Sequence, residues 1–416
     1  MPGRAQPGHG HGHGHGPAVP SSRRVQLLLV AVLIPVALAT LLGIWLTWPG
    51  GPAPRSGADI GFGERPVQGE VVDAATAPCT EGGGSGTAVR DNGCIALTVR
   101  LTDGSSAGTT IRQVLPNEPS TPRFTVGDEI VLAYNGGDPG DELSYQVRDF
   151  QRGGSMLWLA ALFAVAVLLL GRGKGLASLA ALGFSFLVLV VYLFPALLAG
   201  ENPVIVGVLA AGVIMFGVLY LSHGFSAQTS TAVLGTLLSL ALIGVLGTAF
   251  SAATQLTGLD SETADLIRVL GHGVDARGLL LAGVIIGALG VLDDVTVTQT
   301  SAVWELRRAN PDLGARALYS AALRIGRDHI SSAVNTLALA YAGAALPVLL
   351  IYSLSGQTFG TLVTAQDVAQ EVVRTLVGSI GLVAAVPITT AIAAVVARRD
   401  DLGQDSTHLA YLALHP

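Results

Sequence analysis

Charge is what this chain has least of. Only 12% of its 416 residues are Asp, Glu, Lys or Arg, against roughly 25% in soluble domains. Half are hydrophobic and the mean hydropathy is +0.57. That balance excludes an ordinary soluble domain and reads as an integral membrane protein whose first partner is the lipid bilayer. Lysine is almost missing, since Lys174 stands alone and arginine carries the remaining positive charge. No basic patch outside short loops is dense enough to hold a phosphate backbone, so nucleic acid is not an expected partner. Motifs are scarce too. No GxxxxGK[ST] run is present, no nucleophile–base pair stands out, and no cofactor is implied. An enzyme is therefore not expected, and any transport must draw on gradients. Cysteine is limited to Cys79 and Cys94, both in the one long polar stretch. In an extracytoplasmic setting those two are expected to form a disulfide.

What the chain does have is long apolar runs. Crossing about 30 Å of hydrocarbon takes roughly 20 residues. Runs of that kind lie at about 25–46, 156–171, 176–199, 203–222, 230–257, 278–304, 332–354 and 373–397, the last interrupted by Pro387. A mainly α, polytopic bundle of about eight spans follows. Arginine and lysine in short loops set the orientation. With the N-terminus inside, the cytosolic segments hold Arg4, Arg23, Arg24, Arg172, Lys174, Arg307, Arg308, Arg316, Arg324, Arg327, Arg398 and Arg399. The opposite loops and helix ends hold only Arg268, Arg277 and Arg374. Both termini are thereby placed in the cytosol of a bacterial cell, with the plasma membrane as the location.

The segments divide accordingly. Residues 1–24 form a cytosolic His/Gly-rich tail without a fold, in which alternate His9, His11, His13 and His15 are candidate metal ligands. Residues 25–47 form an uncleaved anchor, too long for a signal-peptide core. Residues 48–155 form an extracytoplasmic β-rich domain, an OB-like barrel or a sandwich. Its strand-like runs are "VQGEVVDA", "CIALTVRL", "TTIRQVL", "FTVGDEIVLAY" and "LSYQVRDF", separated by turn signals. Residues 156–400 form the bundle, with a cytosolic surface helix at about 310–328 capped by Asn310 and opened by Pro311. Residues 401–416 are a cytosolic tail.

The chemistry concentrates in "GALGVLDDVTVTQTSAVWELRR", Gly287 to Arg308. Residues three and four apart share a helical face. Gly283, Gly287, Gly290, Asp294, Thr298, Ser301 and Glu305 form one seam, small and then polar, which predicts a close helix contact. Asp293 points about 100° away. Asp294 lies about ten residues before Trp304, roughly 15 Å deep. The next span offers Asp328, Ser331, Asn335, Ala338, Ala342 and Ala345 at the same spacing. The expected site is therefore Asp294, Thr298, Ser301, Asn335 and Ser331, with Asp293 nearby. An acid at that depth is costly, and it points to a proton relay or a cation site. A structural acid bonded to Asn335 is the alternative. The polar turn "LSHGFSAQTST" near His223 and Gln228 reads as a solvated hairpin, with a place in the lining of the same cavity as the alternative.

The stretch "GVLDDVTVTQTSAVWELRRANPDL", the helix after it and the bundle before it resemble the YibE/F family of bacterial membrane proteins. The resemblance implies an anchor, a small external β domain and a helical bundle. An acid-bearing helix followed by a surface helix and two closing helices is also similar to half of an RND-type exporter, which implies proton coupling by analogy. Two functions follow from different classes. One is a gradient-driven, proton-coupled transporter or permease for an unidentified small solute or ion. The other is a non-transporting scaffold or envelope-assembly factor that binds an envelope protein or a second copy of itself.

Overall fold

The computed structural model describes residues 22–50, 64–79, 93–270, 274–354, 356 and 358–414. The chain divides into two compact units, Gly51–Leu176 and the combination of Met1–Gly50 with Ala177–Pro416.

The first unit holds an antiparallel sheet. Its strands are β1 (Arg65–Ala77), β2 (Cys94–Leu101), β3 (Thr110–Pro116), β4 (Glu129–Tyr134) and β5 (Tyr145–Phe150), in the spatial order β3-β2-β1-β4-β5. All five fall on the runs that the sequence predicts. β1 is long enough to serve two partners: Arg65–Glu70 pair with β4, and Gly69–Ala77 pair with β2 across an irregularity at Val71/Asp73. Gly69 sits at that handover, where an added side chain would strike Val99 and Leu132. Alternation along β2 turns Leu97, Val99 and Leu101 inward against Val71, Ile130 and Leu132. At the open side, the Gln113 Nε2 of β3 donates to the Glu142 carbonyl just before β5. The Cys79–Cys94 disulfide is present, with its Cα atoms 5.1 Å apart.

The bundle starts with α1 (Arg23–Leu46). After the sheet, α2 (Gly153–Val188) continues through a π-helical turn at Leu189–Leu193 into α3 (Phe194–Leu198). Arg172 interrupts α2 with φ 50° and ψ −127°, at the junction between two predicted spans. The chain reverses there, because a methyl added at Gly175 would collide with the Val167 carbonyl. α4 (Pro203–His223) opens on an Asn202 cap and Pro203, and α5 (Ala227–Ala253) opens on a Ser226 cap. The short α6 (Ser261–Leu270) leads to α7 (Ala276–Ala309), then α8 (Ala315–Ala344), α9 (Leu346–Leu354), α10 (Phe359–Thr364) and α11 (Gln366–Leu414). Among the described residues, six helices are long and apolar enough to cross a membrane, or seven if the bent pair α8–α9, with 62° between its arms, is taken as one span.

The expected surface helix at 310–328 is not a separate element. Asn310 closes α7 instead of opening a new helix, Gly314 is the N-cap, and α8 runs unbroken from Ala315 to Ala344. Its first turns bury Leu318 and Ala322 against Val303, Ala393, Ala394 and Ala397. That apolar contact with α7 and α11 draws the stretch into the bundle. The break falls further on, at Ala345, just before Pro347.

Candidate functional site

α7 owes its three faces to its sequence, in which hydroxyls alternate with aliphatic residues. Leu292, Val295, Thr296, Gln299, Thr300 and Val303 are buried, whereas Gly283, Gly287, Gly290 and Asp294 are exposed. The predicted seam is therefore an open stripe, and its placement against a neighbouring helix needs correction. At its upper end the stripe does meet side chains: a Cβ on Gly287 would lie 2.9 Å from the Tyr341 hydroxyl, and one on Gly283 would lie 4.0 Å from Arg374. At Gly290 nothing described lies within 4 Å. The glycines thus floor a groove instead of admitting a helix. Asn335 and Ser331 are also exposed, and among the described residues no hydrogen bond joins either to Asp294. Thr298 donates to the Asp294 carbonyl at 2.7 Å, and Ser301 accepts from Gln228 Nε2 at 2.7 Å. The latter bond ties the "LSHGFSAQTST" turn to α7, so Gln228 is not part of a solvated hairpin.

Asp293 is the acid that the fold takes inside. Its Oδ1 is fully shielded and has no hydrogen-bond partner among the described residues. One turn on, the Thr296 hydroxyl lies 3.2 Å from the Asp293 carbonyl and 2.8 Å from the Thr236 hydroxyl of α5. Gln299 projects to the other side, where its Oε1 accepts from Thr390 of α11 at 2.9 Å. Thr389 presses on the bare Cα of Gly235 in α5, and α8 comes close where Gly326 faces the Gln299 amide. Thr236, Thr296, Thr389 and Thr390 are all 0% exposed, and Gln299 is 1% exposed. A buried polar seam thus crosses α5, α7 and α11 at one level, with Asp293 at its edge.

Sequence reasoning missed Thr236, Gln299, Thr389 and Thr390. Their signal was present in "VLGTLLS", "VTQTS" and "PITTA", where hydroxyls and an amide interrupt apolar runs that should face lipid or packing.

A second polar feature lies near the far end of the same helices. A cavity of about 560 Å³ is lined by Asp260, Glu262, Asp367, Glu371, Arg374 and Tyr341, with alanines of α8 between them. Arg374 pairs with Glu371 at 2.6 Å. Tyr341 and Arg374, which line this cavity, are also the residues nearest Gly287 and Gly283 on the α7 stripe. No group of three or more His, Cys, Asp or Glu among the described residues could hold a metal ion. His9, His11, His13 and His15 lie outside the described residues.

Comparison with known families gives one result: the model described as YibE/F-like protein matches residues 159–399. No curated protein and no solved structure matches the chain.

Proposed function

The chain belongs to the YibE/F-like family, and on that premise we propose a gradient-driven, proton-coupled membrane transporter in which Asp293 takes up and releases the proton. One observation carries this reading. A carboxylate oxygen without a donor, shielded inside a helical bundle, is costly as a bare charge and stable once it holds a proton or a cation. The coupling role moves from Asp294 to Asp293, and Asp294, exposed on the groove, serves as the neighbour through which the proton arrives. The acid-lined cavity at Asp260, Asp367 and Glu371 is the entry, and the Gly283–Gly287–Gly290 groove is the way in.

The same proposal includes eight crossings of the bacterial plasma membrane. Counting α2 as two spans at Arg172 and α8–α9 as one gives that number. The Ser22 amide donates to Asp400 Oδ1 at 2.6 Å, so α1 begins at the end of the bundle where the span of α11 stops. Trp304 of α7 packs with Val25 of α1 and Val396 of α11 at that end. Arg23, Arg24, Arg307, Arg308, Arg398 and Arg399 therefore gather on one side, the cytosolic one by the positive-inside rule. Residues 48–155 then face outward. The strand order and the long, shared β1 support an OB-like reading of that domain. Under this reading the protein is not an enzyme and needs no cofactor.

The test uses the full chain in vesicles with an imposed pH gradient. Asp293→Asn is expected to insert normally and lose proton flux, and Asp294→Asn to retain part of it. Flux unchanged in Asp293→Asn would leave the acid structural and favour the scaffold reading. Asp293→Glu, which keeps the charge, serves if the amide variant fails to accumulate.

A further inference from the structure

α8 has two opposite faces. Gly326, Ile330, Ala333 and Leu337 turn toward the bundle: Gly326 and Leu337 are buried, and Ile330 and Ala333 pack against the main core. Ile325, Asp328, Ser332, Asn335 and Leu339 form the other face, and every one of them is exposed, Leu339 to 64%. Their alternating spacing of three and four is the 3.5-residue repeat by which two helices wrap around each other. The level of this face matters as much as its pattern. Gly287 of α7 faces the Tyr341 hydroxyl, and the Gln299 amide faces Gly326, so Asp294 of α7 and Ser332 and Asn335 of α8 all lie between these two contacts. Asn335 stands roughly 12 Å along the helix beyond Arg327. Inside a span, lipid leaves an amide, a hydroxyl or a carboxylate unsolvated. Asp294 and Ser332 accept hydrogen bonds from Thr298 and Thr336 through their backbone carbonyls, and their side chains face outward with that of Asn335.

We propose that the protein is a parallel two-fold homodimer in which the Ile325–Leu339 seam of α8 packs against the same seam of a second copy. Insertion gives every copy the same orientation, so the two-fold axis runs along the membrane normal and each seam residue meets its own counterpart. That arrangement demands self-complementary side chains. Asn335 and Ser332 meet the demand, because an amide and a hydroxyl each donate and accept. A single Asn in a parallel seam also fixes register and the number of strands. A partner of different sequence would place no such demand on this face. At the cytosolic end, the exposed Arg324 and Arg327 flank Asp328 and balance its meeting with a second acid. The dimer stands apart from transport; its use to wall the space in front of Asp294, which keeps a proton path out of lipid, rests on the transporter reading above.

The experiment is disulfide cross-linking of single-cysteine variants of the full chain in native membranes. Cys79 and Cys94 are already bridged to each other and leave no competing thiol. Ser332→Cys and Leu339→Cys are expected to give a covalent dimer on mild oxidation, and Ala333→Cys, on the inner face, is not. Light scattering of the protein in nanodiscs is expected to find two chains per particle. Asn335→Leu should weaken association at least tenfold, whereas Asn335→Ser, which keeps a donor and an acceptor, should largely retain it. Should Asn335→Leu fail to accumulate, Asn335→Ala carries the same expectation. A single chain per particle without cross-linking, or cross-linking as strong at Ala333→Cys, would overturn the dimer. So would reaction of Ser332→Cys with a water-soluble maleimide in place of cross-linking, which would mean that water covers the face, or capture of a different protein there. The proton-flux assay separates the two claims. Flux that depends on Asp293 in a protein that stays monomeric removes only the interface. Cross-linking at Ser332→Cys and Leu339→Cys with flux indifferent to Asp293→Asn keeps the interface and removes the transporter.

Discussion

At the scale of single residues, the disulfide and the acid pair show what local sequence can and cannot carry. Cys79 and Cys94 were legible, because two cysteines in one polar stretch have no other partner. The bridge closes a loop with a sequence separation of 15 and should contribute about 3 kcal/mol to the small domain. Thiol labelling of the denatured, unreduced protein is expected to find neither cysteine reactive. Cys79→Ser should lower the denaturation midpoint of the sheet domain. The acid pair was legible only in part. Helical period places Asp293 and Asp294 about 100° apart, but period alone does not say which of two faces is covered. A glycine stripe reads equally well as a packing seam and as the floor of a groove. The neighbours decide, and here α5 and α11 close over Thr296 and Gln299 while α8 leaves Asp294 open.

At the scale of elements, strand alternation placed all five strands, and apolar length marked where the long helices lie. The boundaries that failed did so for tertiary reasons. Asn310 and Pro311 have the local look of a helix start, but the Arg307 guanidinium bonds the carbonyls of Pro311 and Leu313 and holds the turn ahead of Gly314. The start of α8 then packs inward through Leu318 and Ala322. The glycines that bring helices together are the sensitive points. A Cβ at Gly326 would lie 2.6 Å from both the Gln299 amide nitrogen and Val386 Cγ1. Gly326→Val should therefore cost about 1–3 kcal/mol of stability by overpacking, read as a lower Tm in detergent. Gly290→Val, on the open stripe with nothing within 4 Å, should cost far less. Equal losses at the two positions would mean that the groove is closed.

At the scale of the whole molecule, charge asymmetry and packing bear on the same question from independent directions. Arginines in short loops orient a membrane protein because positive loops stay on the cytosolic side. Packing says nothing about sides, yet it brings the start of α1, the end of α7 and the Asp400 end of α11 together. An odd number of crossings would put the start of α1 and the Asp400 end of α11 on opposite faces, so their packing together supports the even number proposed above. Under the eight-crossing proposal, residues around Gly136 face the other compartment from residues around Gly403. Paired fusions of alkaline phosphatase and a fluorescent protein at these two positions are expected to report an outside Gly136 and a cytosolic Gly403. Both positions in the cytosol would mean that α1 does not cross, and the β domain would lose its oxidising compartment. Both outside would require the arginine-rich end to face outward, against the charge rule. Only the second failure would also move the acid-lined cavity to the other side, because the cavity lies at the opposite end of α11 from Gly403; under the transporter proposal the topology thus fixes the direction from which a proton meets Asp294 first and Asp293 second.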